Sequence, residues 1–217
     1  MAGFHKYSAH LNQHDVIYID FSDMEGQSQS YEAYINNIKE LLREDLRDMY
    51  PEIKFRKGGN IAEDLKKVFA HTRRPFIFLF DEWDAVFHSP YMTQRDKADY
   101  LSFLKSILKG KPYVSLAYMT GILPIAKYSS GSELNMFLEY TMVSKVKYSD
   151  YFGFSEEEVD ELYGRYLEIT PDPAIGREEL REWYDGYHTS AGKRLYNPRS
   201  VVSSLTDNQI WCKGSLR

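Results

Sequence analysis

A single cysteine, Cys212, stands in the 217 residues. One thiol forms neither an intrachain disulfide nor a cysteine-based zinc cluster. No apolar stretch approaches the roughly 20 residues of a membrane span, and the N-terminus carries no apolar signal region. Positive charge is short as well: 27 Lys and Arg face 32 Asp and Glu, a formal net charge of −5. That balance excludes a global basic coat for nucleic acid, although not a local patch. Repeats and low-complexity segments are missing too. The expectation is a soluble, cytoplasmic protein, with no membrane partner and no nucleic-acid partner indicated. Apolar and aromatic residues are plentiful, at 43% and 15%. They suffice for a sizeable core, in one domain or in a domain with a small appendage.

The chain is organised around Pro75-Phe76-Ile77-Phe78-Leu79-Phe80-Asp81-Glu82-Trp83-Asp84. Five bulky apolar residues run unbroken into carboxylates. The run is too short for an ordinary helix and predicts a buried strand. Without polar alternation, both of its faces are expected to be covered, as in a parallel sheet flanked by helices. Val16 to Phe21 is a second such run, ending at Asp20 and Ser22. Tyr113 to Met119 is a third, ending in Thr120-Gly121. Helical spacing fills the intervals. Tyr31 to Met49 carries an apolar stripe, Asn60 caps a shorter helix with Leu65 and Val68 inward, and Lys97 to Leu108 repeats the pattern. Strands alternating with helices predict an α/β layered fold with right-handed crossovers.

Beyond Ile122 the pattern weakens. Ile122 to Asn135 reads as loop, and Thr141 to Lys147 as a short fourth strand. Ser155 and Glu158 are spaced as a capping box, and Glu156, Glu157 and Glu158 suit a helix start. Helices are expected over Arg177 to Trp183 and Arg199 to Leu205, with Asp185-Gly186 a turn and Lys193 to Asn197 extended. The division drawn from this is 1–150 for an α/β core and 151–217 for a mostly helical subdomain. His5, His10 and His14 lie near one side of a helix, but lack the acidic or Cys partners of a metal site.

An apolar strand ending in Asp-Glu has a known chemical use. The Asp holds a magnesium ion, often through its water shell, and the adjacent Glu polarises an attacking water. This is the second signature of P-loop nucleotide hydrolases. Parallel sheets place ligands beyond the carboxyl ends of their strands. Asp20, Asp81, Glu82 and Thr120 then share one rim if the three strands run parallel.

Several strings together resemble the predicted AAA-ATPase-like family. They include Val16-Ile17-Tyr18-Ile19-Asp20-Phe21-Ser22, then Phe78-Leu79-Phe80-Asp81-Glu82-Trp83-Asp84, where the family commonly has DEYD, and Thr120-Gly121-Ile122-Leu123. Further matches are Ser132-Glu133-Leu134-Asn135, Tyr151 to Glu158, Trp183 to Tyr187 and Tyr196-Asn197-Pro198. The resemblance implies a three-layer, P-loop NTPase-like α/β fold followed by a small helical region. It implies Asp81 as the magnesium-side, cofactor-binding acid, Glu82 as catalytic base, Thr120 as sensor, and Mg2+ and ATP as cofactors. Asp84 is a family-typical acid without an assigned role. The family's first strand and its glycine-rich loop ending in Lys-Ser/Thr should precede Val16, yet no G-x-x-x-x-G-K-[ST] occurs anywhere. The expectation is a truncated AAA-like ATPase, inactive or weak without that loop, with strands 16–21, 76–80 and 113–119 neighbouring in that order. Nucleotide is the expected ligand, with a protein partner or self-association as a further expectation. The alternatives are a non-catalytic interaction module, and a magnesium-dependent nuclease built on Asp20, Asp81, Glu82 and Asp84.

Overall fold

In the computed structural model, residues 7–23, 28–56, 58–125, 135–141, 147–189 and 192–210 are described. The chain divides into two compact units, Met1–Leu138 and Glu139–Arg217.

The first unit is built on three strands: β1 (Asp15–Asp20), β2 (Phe76–Asp81) and β3 (Val114–Met119). Their spatial order is β1-β2-β3 and both pairings are parallel. Order and direction are those expected from the three apolar runs. The connections are helices: α1 (Tyr31–Met49), α2 (Ile61–Thr72) and α3 (Gln94–Leu108). Each begins at a side-chain cap. Ser30 Oγ accepts from the Ala33 amide and Asn60 Oδ1 from that of Ala62. Thr93 and Asp96 form a reciprocal capping box. This box starts α3 three residues before Lys97, because the cap and not the apolar stripe sets where the helix begins. α2 ends on Arg73 in the left-handed region, φ 58°.

One sheet face is packed against these helices. Phe76, Phe78 and Phe80 of β2 share a buried cluster with Ile35, Ile38, Leu65, Val68, Tyr100 and Leu104. Aromatic edges interlock there: Phe21 meets Phe80 at 5.3 Å between centroids, and Phe78 meets Phe80 at 5.7 Å. The other face differs from expectation. Val16, Tyr18, Leu116 and Tyr118 are 52–61% exposed. Register puts them on the same side as Ile77 and Leu79, which are only half-buried. An unbroken apolar run shows that a strand is central, not that a layer lies on each side. Here β1 and β3 flank β2, and their side chains give partial cover to Ile77 and Leu79.

Between α1 and α2 lies a buried ion pair. Arg43 Nε donates to Asp64 Oδ2 at 3.0 Å, with both side chains almost fully buried. Arg43 also donates to the Gly59 carbonyl and to Glu40. The pair ties the two helices to the Gly58-Gly59 turn.

The second unit contains α4 (Glu156–Ile169), α5 (Arg177–Tyr184), the hairpin strands β4 (Asp185–His188) and β5 (Arg194–Tyr196), and α6 (Pro198–Asp207). Ser155 and Glu158 make the expected capping box. Asn197 caps α6, with Pro198 in its first turn. Asp185-Gly186 is not a turn: it opens β4, which pairs antiparallel with β5. Val159, Leu180, Tyr196 and Val201 centre the core. Arg177 organises one side of it. Its guanidinium reaches Glu156 and Asp160, each at 2.6 Å, and the Tyr196 hydroxyl. Tyr196 in turn donates to Glu156 at 2.7 Å. Residues 142–146, in the expected fourth strand, together with residues 132–134, His5 and Cys212, lie outside the described residues.

Candidate functional site

The parallel register decides where the polar strand ends go. Asp20 pairs directly with Asp81 across β1 and β2. Strand alternation points both from the less covered face, in line with Tyr18 and Leu79. The Thr120 amide donates to the Phe80 carbonyl at 2.9 Å, and the Trp83 amide donates to the Thr120 carbonyl at 3.0 Å. The chain leaving β3 is thereby stitched to the chain leaving β2. All four residues expected at the rim, Asp20, Asp81, Glu82 and Thr120, are at the carboxyl end of the sheet.

Their contacts are specific. Thr120 Oγ1 donates to Asp81 Oδ1 and accepts from the Glu82 amide, the latter at 3.3 Å. The hydroxyl thus orients one carboxylate and fixes the backbone that carries the next. Tyr18 Oη lies 3.5 Å from Asp81 Oδ2. Partial desolvation, and then the charges of Asp81 and Asp20, hold the Tyr18 hydroxyl above its ordinary value. Asp20 Oδ1 accepts from the Ser22 amide at 2.9 Å and from Ser22 Oγ at 2.7 Å. Glu82 is exposed and adopts φ 51°, a left-handed conformation that costs a non-glycine residue about 1 kcal/mol. The bend turns the chain sharply out of β2 and leaves the Glu82 side chain at the surface.

Asp84 has a different task. It is buried, and its carboxylate accepts from the Ile122 amide at 3.2 Å and the Leu123 amide at 2.6 Å. It clamps the loop after β3 and does not join the rim. This removes one acid from the four-carboxylate nuclease arrangement. Trp83, also buried, stacks edge-on with Phe87 at 5.4 Å, and its carbonyl accepts from the Tyr100 hydroxyl at 2.7 Å. The clamp explains Gly121. A Cβ there would lie 2.4 Å from Asp84 Oδ1 and 2.5 Å from Trp83 Cδ1. Trp83, Asp84 and Gly121 therefore form one packing unit beneath the rim. The sequence hinted at it only by placing a glycine directly after Thr120.

The donor set can be tested against the implied ligands. Magnesium is held by one or two carboxylates and keeps several waters. Asp81, with Asp20 beside it, offers such a pair. Among the described residues no group of three or more His, Cys, Asp or Glu side chains is placed to hold a metal directly. The rim fits a hydrated cation. A triphosphate needs cationic or amide donors. Three carboxylates and a hydroxyl do not provide them, so these residues alone do not grip the phosphates. His10 and His14 stack at 5.2 Å and share a 2.9 Å hydrogen bond, with no carboxylate or thiolate in the pair.

The family model described as "Predicted AAA-ATPase" matches residues 2–130, a stretch that contains all three strands and all four rim residues. Over 152 residues the chain is 32% identical to "Uncharacterized protein in vnfD 5'region" of Azotobacter chroococcum mcd 1. That alignment covers 66% of this chain and 27% of the relative, so the chain spans well under half of the relative's length. No helix among the described residues is long and apolar enough to cross a membrane. With strand order, acidic strand end and family match in agreement, the chain belongs to the predicted AAA-ATPase-like family.

Proposed function

We propose that this chain supplies the acidic side of a magnesium-dependent, ATP-hydrolysing centre. The observation that carries the reading is the Asp81–Thr120–Glu82 arrangement, one hydroxyl bonded to a carboxylate and to the following amide at the ends of adjacent parallel strands. Asp81, with Asp20 as its neighbour, would hold the ion through its water shell. Glu82, exposed on its left-handed bend, takes the proton from an attacking water. Thr120 is a positioning residue that keeps Asp81 aimed and the Glu82 backbone fixed. ATP, when bound, supplies the phosphoryl group. Its grip would come from a glycine-rich loop on additional polypeptide, since Asp20, Asp81, Glu82 and Thr120 offer no cationic side chain.

The test compares ATP turnover by this chain with turnover by a form extended N-terminally with a phosphate loop. The expected result is background hydrolysis by the first and magnesium-dependent turnover by the second. Glu82→Gln should lower the latter by at least about 100-fold. Full activity in Glu82→Gln would refute the base assignment. A second reading, a non-catalytic protein-binding module, is favoured by the exposed apolar residues Val16, Tyr18, Leu116 and Tyr118. It predicts no nucleotide affinity in either form.

A further inference from the structure

On the side of the sheet away from β3, β1 is an edge. Among the described residues its hydrogen-bonded strand neighbour is β2 alone. The Phe21 amide donates to the Asp81 carbonyl at 3.0 Å. Alternation then turns the amides and carbonyls of Ile17 and Ile19 towards β2, and those of Val16, Tyr18 and Asp20 outward. Proteins commonly blunt such edges with lysine or proline. The β1 sequence, Asp-Val-Ile-Tyr-Ile-Asp, has neither.

Beside this edge runs a groove of about 610 Å³, walled by β1 and by the flank of α1. On the helix wall Leu41, Asp45 and Met49 follow one another at four-residue intervals, so they lie along one line. Leu41 and Met49 are 46% and 72% exposed, large apolar side chains left in water. Among the described residues four aspartates line the groove (Asp15, Asp20, Asp23 and Asp45), and no Lys or Arg does. Arg74, from outside the lining, pairs with Asp15 at 3.1 Å. Tyr50, just past the end of α1, and Asp15, at the start of β1, both line the groove.

The two walls have matching periods. Four residues of helix advance about 6 Å, and two residues of strand advance about 6.6 Å. Three successive helix-facing side chains of an added strand therefore stay in step with Leu41, Asp45 and Met49. We propose that this groove receives an extended segment of another protein as a strand added to β1. An Arg or Lys of that segment faces Asp45, between two apolar side chains over Leu41 and Met49. Main-chain bonds to the outward groups of β1 give affinity, and the basic residue gives register and selectivity. A second copy pairing through β1 would set this acidic lining, Asp20 and Asp45 included, against itself, so like charge opposes that occupant. The proposal does not rest on the nucleotide chemistry, although Asp20 belongs to both the rim and the groove.

The probe is a fluorescein-labelled peptide, Thr-Thr-Leu-Thr-Arg-Thr-Leu-Thr-Thr, titrated by anisotropy with the full chain. Saturable binding is expected below about 1 mM. Asp45→Lys, a change at an exposed helix position, should weaken it by at least about tenfold, as should Glu in place of the peptide's Arg. Combining the two changes should restore affinity to within about threefold of the original. N-methylation of one alternate set of peptide amides should abolish binding, while methylation of the other set leaves it intact, because only one set faces β1. No saturable binding, indifference to Asp45→Lys, or equal effects of the two methylated sets would overturn the proposal. A chain dimer, seen by sedimentation and dispersed by saturating peptide, would assign the groove to a second copy and also overturn it.

Discussion

Substituting Gly121 by Ala tests whether the rim rests on a close-packed floor. The new Cβ would meet Asp84 Oδ1 at 2.4 Å, Trp83 Cδ1 at 2.5 Å and Trp83 Nε1 at 2.6 Å. Each contact is about 1 Å short of ordinary separation, and both partners are buried. Neither is the loose end of a flexible chain: the indole is wedged against Phe87, and the carboxylate is held by two amides. Overpacking of this sort costs about 1–3 kcal/mol. Displacing Asp84 from one amide adds about 1.5–3 kcal/mol for a charge-assisted bond. A total near 4 kcal/mol lowers the melting temperature by about 10 °C, at about 2–4 °C per kcal/mol. The assay is thermal unfolding by far-ultraviolet circular dichroism, with amide hydrogen exchange at β2 and β3 to locate the loss. Gly164→Ala is the control. It lies inside α4 with nothing within 4 Å of the added Cβ, so the same change should stabilise by about 0.5–1 kcal/mol. A fall of less than about 2 °C for Gly121→Ala would refute the argument.

Removing either partner of the Arg43–Asp64 pair, by Arg43→Met or Asp64→Leu, should destabilise the first unit by about 3–5 kcal/mol in urea titration, since a buried charge is left alone. The double replacement should recover most of that loss; strict additivity of the two single changes would contradict it. The second unit should be acid-sensitive through Glu156. Burial alone would raise its carboxyl, but the hydrogen bonds from Tyr196 and Arg177, with the Arg177 and Arg181 charges, outweigh burial and hold it below the ordinary value. Its stabilising contribution is therefore complete above the unfolded-state carboxyl range and is lost as pH falls through the lower folded value. Hydrogen exchange of α4 between pH 6 and pH 3 should show this loss, and Arg177→Gln should flatten the profile.

The three strands, their order and their direction were legible because each is an apolar run ending in a polar group, with an amphipathic helix between one and the next. The rim of Asp20, Asp81, Glu82 and Thr120 followed from those strand ends. The task of Asp84 was not legible. Its partners are the amides of Ile122 and Leu123, 38 and 39 residues away, and backbone donors leave no mark in the side-chain sequence. The β4–β5 hairpin was hidden because Asp-Gly is strong turn chemistry, yet here strand pairing with Tyr196 overrides it. Coverage of the sheet was misjudged on Val16, Tyr18, Leu116 and Tyr118, since hydrophobicity records what a position tolerates and not what lies above it.

That bare sheet surface has a practical corollary at the bench. Reporter molecules such as anilinonaphthalene sulfonate brighten wherever they find greasy ground, whether or not a protein has melted. Four solvent-facing aliphatic and phenolic groups side by side mean that native samples should already glow, so dye-based melting curves would begin high and hide the transition that spectroscopy of the backbone reveals.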